Sequence, residues 1–315
     1  MRFGVQLTTR DGSPPAVMCD IAREAEALGY SSLWIADHVL LPRDNPFPDD
    51  TNPGWRGRYQ FESMTALAYI SARTSRIDIG TSVLILAQRD PIIFAKQAAT
   101  INSFSSGRLK LGVGAGWSPD EFSLLHADFK GRGRRTEEYI ALCRELWTAE
   151  DPRVSGETYA FENVCFRPRL AEASCIPILI GGNSRIAARR AARIGDGWMP
   201  SGLGADFTPE DYADSAKEFV NALRAQGRPT SDVPVYLKLR LAFDDIRSPA
   251  PLRGSSHQIR SNVERFRDLG VDTLIIDWHG PPDSAQAHYD IARFAAEIMG
   301  EFTDTGHDRN SARSS

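Results

Sequence analysis

The sequence predicts an α/β fold, a closed (β/α)8 barrel with insertions on its C-terminal face. Three observations predict it. Strand-like and helix-like segments alternate eight times along the chain, and strands joined by helical crossovers pair in parallel. The eight units run without an internal break in composition, over about the length of one such barrel. A doubly wound open sheet is the competing arrangement, and no GxGxxG followed by an acidic residue at dinucleotide spacing supports it.

The elements follow in order. Arg2–Leu7 reads as the first strand. Pro14-Pro15 opens a helix with Val17, Ile21, Ala25 and Leu28 on one face and Gly29 as its stop. Ser32–Ala36 is the second strand and Glu62–Arg73 the second helix. Ile77–Leu84 and Ile92–Phe104 form the third pair, the helix starting after Pro91. Leu109–Val113 is the fourth strand, followed by two helical stretches between Pro119 and Trp147. Pro177–Ile180 is the fifth strand, with a helix from Ser184 to Ile194. Gly197–Met199 is a short sixth strand, and Pro209–Ala225 its helix. Val235–Ala242 with Ser256–Leu269, then Thr273–Asp277 with Ser284–Met299, complete the eight units. Residues 1–302 read as one domain, and 303–315 as a polar, Ser/Arg-rich disordered tail.

Three connections exceed what a barrel needs. Leu40–Gln60 holds Phe47, Trp55 and Tyr59 and follows the second strand, where a long loop reads as a lid or substrate loop. Trp117–Arg135 carries Asp120, Glu121 and His126. Val154–Phe161 reads as a small decorative hairpin.

Composition narrows the function. A net charge of −4 gives no electrostatic case for nucleic acid. No apolar run approaches the roughly 18 residues of a membrane span, and the N-terminus reads as a strand rather than a signal peptide. Cys19, Cys143, Cys165 and Cys175 show no CxxC and no paired spacing with His, so neither a metal site nor a disulfide framework is expected. Isolated thiols fit a reducing cytoplasm.

The chemistry is read from strand ends. Leu33-Trp34-Ile35-Ala36 ends in Asp37-His38, on the edge where a parallel barrel assembles its active site. A histidine there exchanges a proton near neutral pH; the alternative is that the pair only caps the next segment. Ile178-Leu179-Ile180 ends in Gly181-Gly182-Asn183-Ser184 before a helix, which suits either an anion cradle or a plain capped turn. In that helix Arg185 is placed to reach an anion, while Arg189, Arg190 and Arg193 read as a solvated face. Gly112-Val113-Gly114-Ala115-Gly116-Trp117 lacks the Lys and Ser/Thr of a phosphate loop and gives room for a flat ring, with Trp117 as its wall or as core. His279, after Asp277-Trp278, is a second acid/base candidate. Arg240 is either an anion clamp or one half of a buried ion pair.

Together these segments resemble the bacterial luciferase-like monooxygenase superfamily. The resemblance rests on LGYSSLWIADHVLLP, TSRIDIGTSVL, DPIIFAKQAATINSFSSGRLKLGVGAGW, RRTEEYIALCRELW and PILIGGNSRIAARRAARIGDGWMP in that order. It is strongest to oxidoreductases that use the deazaflavin coenzyme F420. It implies a TIM barrel holding F420, or alternatively FMN, at its C-terminal mouth. Asp37 would then contact the cofactor ring, and His38 would be the catalytic proton donor or acceptor. Ser82–Val83 matches a cis peptide behind the ring. Gly181, Gly182 and Asn183 would bind the phosphate through backbone amides, with Ser201 nearby and Trp117 beside the ring. Luciferases carry Arg at the position of Ala115, and Glu-His-His rather than Asp-His after the second strand. Deazaflavin-dependent sugar-phosphate dehydrogenases carry Glu in place of Trp117, which argues against such a substrate here.

The expected activity is hydride transfer between F420 and a small organic substrate. The alternative is a two-component monooxygenase fed with reduced FMN by a separate flavin reductase; an F420 reductase is the corresponding partner of the first reading. A non-catalytic ligand-binding barrel is a third class, disfavoured by the Asp37-His38 pair. The resemblance also implies a homodimer or higher homo-oligomer through helices two and three, and Arg43, Arg56 and Arg58 could meet an acidic cofactor tail.

Overall fold

The structure is a computed structural model that describes residues 1–7, 14–40, 61–170, 175–204, 207–245, 248, 250–278 and 285–303. The loop centred on residues 41–60, His279 and the tail after residue 303 lie outside the described residues.

The strands are β1 (Arg2–Leu7), β2 (Ser32–Ile35), β3 (Asp78–Ile85), β4 (Leu109–Gly114), β7 (Ile178–Gly181), β8 (Gly197–Met199), β9 (Ser201–Gly202), β10 (Tyr236–Phe243), β11 (Leu252–Gly254) and β12 (Thr273–Trp278), with a separate hairpin of β5 (Val154–Ser155) and β6 (Ala160–Phe161). All pairings in the main sheet are parallel, in the order β11-β10-β12-β1-β2-β3-β4-β7-β8. The sheet closes because Trp198 bridges Val235 and β9 pairs with β10, Ser201 against Lys238. With β8 and β9 as one interrupted strand and β11 as a short extension beside β10, eight strand positions circle the barrel, as the sequence predicts.

Around it lie α1 (Pro15–Ala27), α2 (Ser63–Ser71), α3 (Pro91–Phe104), α4 (Pro119–Leu124), α5 (Arg132–Thr148), α6 (Arg185–Ile194), α7 (Pro209–Ala225), α8 (Ser256–Asp268), α9 (Ala285–Phe294) and α10 (Gly300–Thr303). Local chemistry starts them. Proline sits in the first turn of α1, α3, α4 and α7, where its missing N–H costs nothing. Asp90 accepts from the amides of Ile92 and Ile93, and Ser184 from that of Ala187. Two details differ from the sequence reading. On α1 the buried stripe is Met18, Cys19, Ile21, Ala22 and Ala25, with Val17 and Leu28 only partly covered. The last helix is not one α-helix, because Ala295–Met299 widens into a π turn between α9 and α10. No described helix is long and apolar enough to cross a membrane.

Period-two alternation sorts the strand side chains into two cores. Val5, Leu33, Ile35, Leu237, Leu239, Leu274 and Ile276 point outward into the large layer beneath the helices. Trp34, Leu179, Met199, Tyr236 and Ile275 point inward and plug the barrel. Alternation therefore places Gln6, Lys238, Arg240 and Asp277 on the inner face as well. Outside, Arg108 ties the α2–β3 and α3–β4 turns together. Its guanidinium donates to the carbonyls of Ser71 at 3.1 Å, Thr74 at 3.0 Å, Ile77 at 2.7 Å and Ser105 at 2.8 Å.

Candidate active site

Asp37 and His38 follow β2 and turn to different neighbours. Asp37 is 4% exposed. Its carboxylate accepts from Ser63 Oγ at 3.0 Å, the Ile85 amide at 3.2 Å and Arg89 at 2.6 Å. Both oxygens are engaged, and Asp37 is not among the residues lining the cavity described below. It braces the end of β2 against β3 and α2. His38 is partly exposed, and its Nδ1 lies 3.0 Å from Glu121 Oε2. Glu121 also accepts from the Val39 amide at 2.9 Å and the Leu40 amide at 3.4 Å. Burial works against its charge, but the hydrogen bonds and the His38 imidazole win and hold its carboxyl below the usual range. The His38 ring meets Trp117 edge to face, with centroids 5.8 Å apart.

Glu121 was not read as a site residue, because it lies 83 residues from His38 in the chain. The available signal was local. Ser118 caps α4 through the Glu121 amide, and this fixes where the third helical residue must sit.

Beside this pair opens a cavity of about 320 Å³, lined by Ser82, Val83, Gly114, Trp117, Gly181 and Lys238 among others. The Ser82–Val83 peptide is cis, and the β3–β4 register shifts between Thr81 and Leu84. The glycines around it are forced by contact. A Cβ on Gly114 would stand 2.6 Å from Val83 Cγ2, and one on Gly181 would stand 2.6 Å from Val83 Cγ1. Val83 is thus wedged between two strands that carry no side chain there. Ser82 is buried, and its Oγ finds no hydrogen-bond partner among the described residues. Lys238, absent from the sequence reading, crosses the barrel to donate to the Ser82 carbonyl at 2.9 Å.

The Gly181-Gly182 turn is anchored by hydrogen bonds of its own. The Gly182 amide donates to the Met199 carbonyl at 3.2 Å, so it is committed to the sheet. Asn183 adds a side-chain clamp. Its side-chain amide donates to the Ser201 carbonyl and accepts from the Ser201 amide at 2.8 Å, stapling the turn to β9, and it does not line the cavity. The start of α6, with Ser184 and Ala187, lines the cavity beside Gly181 and Gly182, with two arginines on its rim. The amides of a helix's first turn have no partner within the helix. Arg185 is exposed and not among the lining residues; Arg190, read as solvated, lines the cavity beside Arg132. The reason is helical spacing, since Arg190 lies three residues after Ala187 and shares its face. Arg190 donates to Glu137 at 2.8 Å and Arg132 to the Gly116 carbonyl at 2.9 Å.

Of the residues expected to bind a cofactor, Ser82, Val83, Trp117, Gly181, Gly182 and Ser201 therefore line one cavity, and Asp37 and Asn183 support its walls. A slot walled by glycines, an orphaned hydroxyl and a cationic rim at a helix N-terminus fit a flat ring carrying a phosphate. A larger cavity of about 560 Å³ between the starts of α7 and α8 contains none of these residues.

A family model described as luciferase-like monooxygenase matches residues 1–273. An uncharacterised protein of Mycobacterium bovis is 34% identical over 311 residues, covering 95% of this chain and 99% of its own. An F420-dependent glucose-6-phosphate dehydrogenase of Amycolatopsis mediterranei is 29% identical over 316 residues, covering 94% of this chain and 90% of its own. The crystal structure of a monooxygenase from Streptomyces bottropensis shares the fold, with a TM-score of 0.77 at 21% identity over 96% of this chain and all of its own. With the match running through seven of the eight barrel strands, the chain belongs to the luciferase-like monooxygenase family.

Proposed function

We propose that this protein is an oxidoreductase that transfers a hydride between coenzyme F420 and a small organic substrate, with His38 as the acid/base. The observation that carries it is the placement of the His38–Glu121 pair against Trp117, a residue that lines the glycine-walled slot. The F420-dependent relative supports the choice of cofactor. Bound in the slot, the deazaflavin would accept or supply the hydride at one ring carbon.

The chain's own residues do the rest. Val83, Gly114 and Gly181 would shape the floor under the ring, and Trp117 would form its wall. The first turn of α6, with Arg132 and Arg190, would hold the phosphate. Glu121 fixes His38 through Nδ1, and Nε2 is the ring nitrogen assigned to exchange the proton. When the substrate carbon gives up hydride with its electron pair, the proton on the attached oxygen passes to Nε2. In the reverse direction Nε2 returns it.

The second reading is an FMN-dependent monooxygenase supplied by a separate reductase. The family description favours it, and ring and phosphate are common to both cofactors. Side-by-side fluorescence titrations with F420 and FMN separate the two. Tight F420 and weak FMN binding is the expected result, and the reverse sinks the deazaflavin reading. His38→Ala is expected to keep F420 affinity within about twofold and to lose about 10²–10⁴-fold in hydride transfer over a panel of small alcohols and ketones. Normal turnover by that variant removes His38 from the mechanism.

A further inference from the structure

The barrel mouth has two unlike halves. On β3, β4 and β7 the inner positions nearest the mouth are Ser82, Gly114 and Gly181, which make the slot. On β1, β12 and β10 one rung at the mouth carries Gln6, Asp277 and Arg240. Register aligns these three. Val5 opposes Ile276, so Gln6 and Asp277 share the next rung, and Asp277 pairs directly with Arg240. One rung of three adjacent strands thus carries three long polar side chains, 2%, 5% and 5% exposed. They face the barrel interior, because Tyr236 and Ile275 on the same faces of β10 and β12 pack inside it. The rung adjoins β2, where Gln6 is in register with Trp34, and His38 lies just beyond that strand.

Gln6 Oε1 and Asp277 Oδ1 are both acceptors, and neither receives a hydrogen bond from the described residues. A buried acceptor left unsatisfied costs stability, and folds keep such costs where a ligand relieves them. The ligand must then bring donors. Arg240 beside Asp277 disfavours a cationic ligand, and Asp277 disfavours a carboxylate or phosphate. We propose that Gln6 and Asp277 bind the hydroxyl groups of a neutral alcohol or polyol, which makes the substrate of the proposed reaction a hydroxyl compound carrying at least one further hydroxyl away from the reacting carbon. The substrate assignment rests on the function proposed above; the binding site does not.

The test uses the whole chain with Gln6→Leu and Asp277→Asn. Thermal unfolding is measured without ligand, F420 affinity by fluorescence, and binding of trans-1,2-cyclohexanediol and cyclohexylamine to F420-loaded protein by NMR titration. Expected are unfolding midpoints unchanged or raised in both variants, and F420 affinity unchanged. The wild type is expected to prefer the diol over the amine, and each substitution to weaken the diol about tenfold or more. Lowered midpoints in both variants show that the two oxygens are satisfied within the fold, and overturn the proposal. So does diol binding equal in variants and wild type, or absent from the wild type. If the wild type fails to bind F420, the deazaflavin reading falls, and the same diol titration on FMN-loaded protein still decides the hydroxyl site.

Discussion

His38 was legible in the sequence because an apolar run breaks into two titratable residues at a strand end. Its partner was not, since Glu121 reaches it from another barrel unit and only the folded chain shows the 3.0 Å contact. Glu121→Gln keeps the shape and removes the charge. It is expected to lower kcat by about 10- to 100-fold through loosened His38 geometry, with little change in KM. It also carries a pH signature. A carboxyl whose folded pKa lies below its ordinary value stabilises the protein above that ordinary value, and the contribution disappears as pH falls through the folded value. The stability gap between wild type and Glu121→Gln should therefore be present at pH 7 and shrink on acidification, as denaturant titrations at several pH values would show. A gap that widens toward acid contradicts the assignment. Arg190 teaches the complementary point, because charge pattern alone sent it to solvent and its spacing from Ala187 returns it to the cavity rim.

The elements were more legible than their junctions. Prolines and capping residues marked helix starts, and short apolar runs marked strands. Period-two alternation was a signal available for Lys238, which lies between Leu237 and Leu239 that face the helices, but the sequence reading did not use it, and its reach to the Ser82 carbonyl depends on the bulge in a distant strand. At that bulge β3, β4 and β7 are coupled through one side chain. Gly181→Ala puts a Cβ 2.6 Å from Val83 Cγ1 and is expected to cost about 1–3 kcal/mol by overpacking. Adding Val83→Ala should recover much of that loss, so a double-mutant cycle by chemical denaturation should give a clear coupling. Purely additive effects show that the wedge does not join the strands.

At the scale of the whole molecule, the barrel and its closure followed from eight alternating units, while the split of the inner face into two halves needed strand register. Closure also relies on clips outside the barrel. Arg108→Met keeps the aliphatic stem and strips the donors from four carbonyls, with an expected loss of about 2–4 kcal/mol in denaturant unfolding. An unchanged midpoint would assign those carbonyls to water. The two-sided mouth has a consequence for how such a chain diversifies. The glycine-walled side is interlocked across β3, β4 and β7, so few of its residues can change alone. Gln6 and Asp277 are joined to it by no described hydrogen bond, so each can be replaced without disturbing the wedge. A lineage can therefore inherit one half of its chemistry nearly intact while rewriting the other, and relatives with a common slot can part company in what they consume.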